Sequence, residues 1–328
     1  MITQEYAALA INNQELSRYQ CHEILNWPDE DILQLLHQTY EVRRKYFGNR
    51  VHVQVLRNAK SGLCSEDCHY CSQSRVSDAP IEKYTLVPKE TLIEEAKQAE
   101  QIKATRFCMS TSGNRPSDIE IEELCDIVRA IKSETSLPLC ASLGLLLDGQ
   151  AEKLKAAGLD RVNHNLNTSQ RYYSQICTTH TFQDRAETIA RCQDAGLEIC
   201  SGGIVGQGET DDDLIDMLFA LRKIKPQAIP INFLIPIEGT PFAKVDTNLS
   251  PQKCLKVLSL ARLTNPQCEV RAAGGWEYHL RSMQPLALYA VDSIFVTGYL
   301  TTGGTSVKEV CDMIADMGFE STIEDAGC

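Results

Sequence analysis

Short apolar and β-branched runs alternate along the chain with longer stretches of helical period. The short runs predict strands near 51–58, 105–110, 138–143, 160–166, 197–203, 227–234, 268–273 and 292–297, each of a length that suits a strand better than a buried helix. Between them, Leu92, Ala96, Ala99 and Ile102 recur at spacings of four and three, predicting a helix over 89–103. Leu214, Leu218 and Leu221 do the same over 211–224, behind Asp211, Asp212 and Asp213, whose charge suits a helix N-terminus. The joints "KAAGLD" (155–160), "QDAGLE" (193–198) and "ADMGFE" (315–320) each end a helix on a glycine and turn at once into an extended run. A helical opening spans 14–46, broken near Pro28.

Eight strands alternating with helices through short joints predict an α/β fold of the (β/α)8 TIM-barrel type with an N-terminal helical extension, rather than a doubly wound sheet with a second domain. The expected organisation is an extension over 1–48, the barrel over 49–318 and a C-terminal tail over 319–328. In such a barrel, chemistry belongs at the C-terminal ends of the strands and in the loops that follow.

Composition narrows the partners. The 328 residues carry 44 acidic against 32 basic side chains, a net charge of −12, which disfavours a nucleic-acid partner. The start "MITQEYAALAINNQEL" lacks the basic and apolar regions of a signal peptide, and no run approaches the ~18 apolar residues of a membrane span. A cytoplasmic protein with no membrane partner is therefore expected. In that setting the 14 cysteines read as reduced thiols, metal ligands or small buried hydrophobes rather than disulfides.

Three of them crowd into "SGLCSEDCHYCSQS" (61–74), directly after the first strand: Cys64, Cys68 and Cys71. Thiolates bind zinc or iron–sulfur clusters. Structural zinc usually takes four protein ligands in close pairs, and no second C-x2-C pair occurs here, so zinc is the weaker reading. On a four-iron cluster, three cysteines leave one iron open to a ligand that is not protein. The spacing C-x3-C-x2-C, with Tyr70 before the last cysteine, resembles the radical S-adenosylmethionine (SAM) superfamily. The resemblance implies a [4Fe–4S] cluster on Cys64, Cys68 and Cys71, SAM chelating the fourth iron, and Tyr70 against the adenine.

Cys108 in "TRFCMST", Cys140 in "LPLCASL", Cys200 in "LEICSGG" and Arg271 in "CEVRAAGG" each fall near the middle of an expected strand. Side chains alternate faces along a strand, so the four could share one inward-facing layer. Taken singly, a strand cysteine is more often core packing, and a buried arginine usually answers a carboxylate.

With "SEDCHYCSQS", "TRFCM", "NHNLNTS", "CSGGIVGQGE", "INFLIPIEGTP" and "SIFVTGYLTT", these residues resemble the biotin synthase family over about 50–303. The resemblance implies a [2Fe–2S] cluster on Cys108, Cys140, Cys200 and Arg271, although a protonated guanidinium has no lone pair to offer a metal. It further implies dethiobiotin as substrate, contacts from Asn165 and Asn232 to its ureido ring, and Asn167 at the SAM ribose. Met109 and Ser110 would receive the methionine part of SAM, and the segment 202–209 would border it. A homodimer and a flavodoxin or ferredoxin electron donor also follow from the family. Other radical SAM barrels, lipoyl-synthase-like or mutase-like, and a non-catalytic iron–sulfur carrier are the alternatives.

Beyond these residues, His164 reads as a satisfied structural histidine. Trp276 stands where many relatives have an arginine, expected near the barrel mouth. Cys125, Cys177, Cys192, Cys254, Cys268, Cys311 and Cys328 read as packing or surface thiols.

Overall fold

The computed structural model describes residues 6–296, 300–301 and 305–323. The last residue expected in the eighth strand, part of "SIFVTGYLTT", the end of the tail and Cys328 lie outside the described residues.

The eight expected strands are all present: Arg50–Lys60, Phe107–Thr111, Leu139–Ser142, Arg161–Asn163, Glu198–Cys200 resuming at Gly203–Val205, Ala228–Phe233, Glu269–Ala272 and Ser293–Val296. They pair in parallel in chain order, and the first closes on the eighth through His52 beside Ser293 and Val55 beside Val296. A closed barrel leaves no sheet edge within the ring. The expected helices form at Lys89–Gln101 and Asp211–Ile224. Thr210 caps the second through its side chain, while Asp211, Asp212 and Asp213 fill its first turn.

The fifth strand is interrupted at Ser201 and Gly202 because its neighbour comes too close there. A Cβ on Gly202 would lie 1.9 Å from the Pro230 carbonyl oxygen. Pro230 also has no N–H to give the ladder. Gly202→Ala is therefore expected to destabilise the fold by about 1–3 kcal/mol through overpacking, read as a lower thermal midpoint.

Parity along the strands separates two apolar regions. Met109, Ala141, Val162, Ile199, Val270 and Ile294 face outward into the main core beneath the helices. Cys108, Cys140, Ala273 and Phe295 form a separate cluster inside the barrel. The opening helices, Tyr6–Ile11, Arg18–Leu25 and Ile32–Phe47, bury Tyr6, Ile24, Leu35 and Val42 in the main core. The chain beyond 318 is not detached, since Glu320–Ser321 pairs with Arg50 and Val51 of the first strand.

Candidate active site

The cysteine loop folds back on itself at the C-terminal end of the first strand. Cys71 N donates to Cys68 O at 3.2 Å, Ser74 N to Cys71 O at 3.2 Å, and Arg75 N to Glu66 O at 2.9 Å. Two loop carboxylates fasten it to the segment 177–180. Asp67 Oδ1 accepts from Thr178 N at 2.9 Å and from Thr179 N at 3.2 Å, and Asp67 also accepts from the Thr178 hydroxyl. Glu66 accepts from Thr179 Oγ1 at 2.7 Å, from Asn114 Nδ2 at 2.6 Å and from His180 Nδ1. Burial would raise the Asp67 carboxyl, but the Thr178 bonds hold it below the usual range. Burial pushes the Cys71 thiol up to about 11. Burial raises the Cys64 thiol as well, and the hydrogen bond to Cys177 raises that of Cys68.

A second group of thiols lies lower in the barrel. Cys108 and Cys140 are register partners on adjacent strands. Cys200, fully buried, has Arg271 Nη1 at 3.7 Å. Arg271 is anchored by Ser293 Oγ at 3.0 Å from Nε, by an ion pair with Glu269, and by the Phe295 ring at 4.9 Å. Glu269 serves a second buried cation, Arg161, at 3.1 Å, and accepts from Gln54 Nε2 at 2.8 Å. Burial alone would discharge Arg271, yet Glu269 holds its pKa above the ordinary arginine value. Burial alone would raise the Glu269 carboxyl, and Arg271 and Arg161 pull it well below the usual range.

Between the two thiol groups opens a cavity of about 270 Å³. Ser110 and Ser142 line it two residues beyond Cys108 and Cys140 on the same strand face, so those cysteines lie one layer beneath its floor. Tyr70, Cys71, Asn163, Asn165, Asn167 and Asn232 also line it. Three of the amides are held by their surroundings. Asn165 Oδ1 accepts from Gly202 N at 3.0 Å, Asn167 Nδ2 donates to Tyr70 Oη at 2.7 Å, and Asn232 bridges Gly203 O at 3.1 Å and Gly274 N at 2.9 Å. Asn167 takes the left-handed conformation at φ 71°, which asparagine tolerates. A cavity walled by fixed amides suits a small uncharged polar ligand.

Three expectations are corrected. Met109 does not reach the cavity, because strand alternation turns it into the outer core opposite Cys108 and Ser110. His164 is buried, but its Nε2 has no partner, and burial in the cavity wall holds its pKa well below the ordinary value. Cys177 packs against Tyr173 and Ile176 as expected, and its sulfur also lies 3.8 Å from Cys68 Sγ. Trp276 turns from the barrel mouth into the main core, while Gly274 and Gly275 before it line the cavity. Cys125, Cys192 and Cys254 are core residues as expected, and Cys268 and Cys311 are half-buried against the same core.

Sequence reasoning missed Arg185, a half-buried cation on the cavity wall that donates to Asn165 O at 2.9 Å and to Tyr173 Oη at 2.5 Å. It also missed the clamp of Glu66, Asp67 and 177–180, and the Arg161–Glu269 pair. The run "CTTH" was a signal for the clamp, lacking only knowledge of what it faces.

Residues 60–221 match the radical SAM superfamily, and 230–320 match the Biotin and Thiamin Synthesis associated domain. The chain is 46% identical over 320 residues to the biotin synthase of Rhodopirellula baltica, covering 97% of this chain and 89% of that protein. It is 47% identical over 316 residues to the biotin synthase of Bacillus subtilis strain 168, covering 96% and 94%. Among solved structures, methylornithine synthase superposes with a TM-score of 0.85 at 20% identity, over 96% of this chain and 97% of that one. The FeFe-hydrogenase maturase of Carboxydothermus hydrogenoformans gives 0.82 at 20%, over 98% and 79%. At such identities the structural likeness concerns the fold alone.

Proposed function

The chain belongs to the biotin synthase family of radical SAM enzymes, and from that premise we propose that it inserts sulfur into dethiobiotin to form biotin. The observation that carries the reading is the stacking of two separate thiol sets above and below one amide-walled cavity. Cys64, Cys68 and Cys71 would hold a [4Fe–4S] cluster, and Cys108, Cys140, Cys200 and Arg271 a [2Fe–2S] cluster. The donor chemistry fits: each set offers three sulfurs, and the lower set is buried where no water competes. Arg271, kept protonated by Glu269, would offer a nitrogen lone pair only on losing a proton. When bound, the upper cluster with SAM supplies a carbon radical and the lower cluster supplies sulfur.

The chain's own residues position and shield. Tyr70, tied to Asn167, would flank the adenine and ribose of SAM, and Ser110 its methionine part. Asn165 and Asn232 would match the donors and acceptors of a ureido ring. Leu56, Ile204 and Phe233 exclude water from the same wall, which protects a radical from side reactions. Asn232→Ala removes the proposed substrate contact and two backbone bonds. It is expected to raise the KM for dethiobiotin about 10- to 100-fold, at about 1.4 kcal/mol per tenfold, while the SAM dissociation constant changes little.

A homodimer and a flavodoxin or ferredoxin donor belong to this proposal on the strength of the family resemblance, as does a cytoplasmic setting. No described helix is long and apolar enough to cross a membrane. The test is anaerobic reconstitution with iron and sulfide, followed by reduction with SAM and dethiobiotin. Two cluster types by Mössbauer spectroscopy, with both 5′-deoxyadenosine and biotin formed, are expected. An absence of 5′-deoxyadenosine from the reconstituted chain would overturn the reading.

A further inference from the structure

Cys177 and His180 belong to neither proposed cluster set, yet both are buried beside Cys68. The sulfurs of Cys68 and Cys177 are 3.8 Å apart, and one ligand atom from each of Cys68, Cys177 and His180 lies within 4.8 Å of the others. A tetrahedral zinc with Zn–S bonds of about 2.3 Å places two sulfurs about 3.8 Å apart, so this pair already spans one edge of such a site. His180 Nδ1 lies 3.2 Å and Nε2 3.9 Å from Cys177 Sγ, on either side of the sulfur–nitrogen edge of about 3.5 Å in the same geometry.

The surroundings suit a dication. Glu66 lies against His180 Nδ1, and a carboxylate on one imidazole nitrogen fixes the tautomer that leaves a lone pair on the other. Asp67 Oδ1 lies 3.3 Å from the Cys177 sulfur, adding a second carboxylate at the rim. Thr178 and Thr179 anchor that carboxylate through their backbone N–H groups, so the pocket is held by backbone rather than by loose side chains.

We infer that Cys68, Cys177 and His180 form a site for a soft divalent cation, zinc above all, in the cluster-free chain, so that zinc and the iron–sulfur cluster compete for Cys68. The competition rests on the proposed role of Cys68 in the upper cluster; the site itself does not. Both sulfurs bind as thiolates, so the proton shared in the Cys68–Cys177 contact goes to solvent, and the fourth position is left to water, the arrangement of an open zinc site. The consequence is a check on assembly: a zinc-loaded chain cannot build its radical-generating cluster until the zinc is removed.

The experiment titrates Co2+, a spectroscopic stand-in for zinc, into the full-length chain stripped anaerobically of iron. The wild type and a Cys64→Ala/Cys71→Ala chain are expected to bind one equivalent with tetrahedral d–d bands and thiolate charge transfer. Cys177→Ala is expected to lose roughly half the charge-transfer intensity and at least about tenfold in affinity. Zinc added before reconstitution should block [4Fe–4S] formation in the wild type but not in Cys177→Ala. If Cys177→Ala binds cobalt as the wild type does, the metal sits on other thiols, and if the Cys64→Ala/Cys71→Ala chain loses it, the metal sits on the three-cysteine loop; either result overturns the inference. No cobalt binding in any chain overturns it equally. The [4Fe–4S] absorption and 5′-deoxyadenosine yield of Cys177→Ala without zinc are read separately. Their loss would count against the cluster assignment, and cobalt binding alone decides the site.

Discussion

Cys200→Ala is expected to leave 5′-deoxyadenosine formation measurable while biotin falls below detection. Cys200 sits on the fifth strand beside Asn163 and Ala228, deep in the barrel and remote in the fold from the loop that would hold the radical-generating cluster. Removing its sulfur takes one thiol from the proposed sulfur-donating set and leaves the upper thiols, Tyr70 and the amides in place. The alanine leaves only a small cavity, costing about 1–2 kcal/mol, so the barrel should still fold. Cys68→Ala is expected to abolish both products, because it opens the upper set. Quantifying both products by mass spectrometry after anaerobic turnover separates the two variants. Normal biotin from Cys200→Ala would remove the lower thiols from the mechanism.

Glu269→Gln is expected to be the most destabilising polar substitution at the barrel floor. Glu269 pairs with two buried guanidiniums, Arg271 and Arg161, the latter held also by Glu198 at 2.8 Å, and it accepts from Gln54 as well. Arg161 keeps Glu198, whereas the buried Arg271 loses its paired carboxylate and is left with uncompensated charge, at a cost of about 3–5 kcal/mol. The loss should appear as a thermal midpoint several degrees lower and as failure to retain the lower cluster, even if the upper one assembles. The same network sets a pH dependence. The folded-state pKa of Glu269 is depressed, so its contribution is fully present above the unfolded value of about 4.3 and is lost as pH falls below it. Glu269→Gln should flatten that acid limb of the stability curve; an unchanged limb would show that the pair contributes little.

The strands were legible because each apolar run is short, bounded by turn residues and spaced by a helix-length interval. The three helix-ending glycines take positive φ, Gly158 at 104°, Gly196 at 76° and Gly318 at 74°. The break in the fifth strand was not legible, since it depends on Pro230 of the neighbouring strand. Met109 was misread for a related reason: position in a strand is visible in sequence, but which parity faces inward depends on how the barrel closes. Cys108 and Ser110 line one face and Met109 the other, a difference of one residue that no local pattern marks.

By itself, the order of residues determined the alternating elements, the three-cysteine loop and the set of strand thiols, because these depend on local period and spacing. Tertiary structure alone decided which residues meet across long separations. Glu269 lies 108 residues from Arg161, and Cys177 lies 109 residues from Cys68, yet each pair is in contact. Contacts at that range follow from the closure and register of the barrel. A lone "CTTH" in the sequence therefore becomes part of the loop's surroundings only when the fourth strand delivers it beside the first.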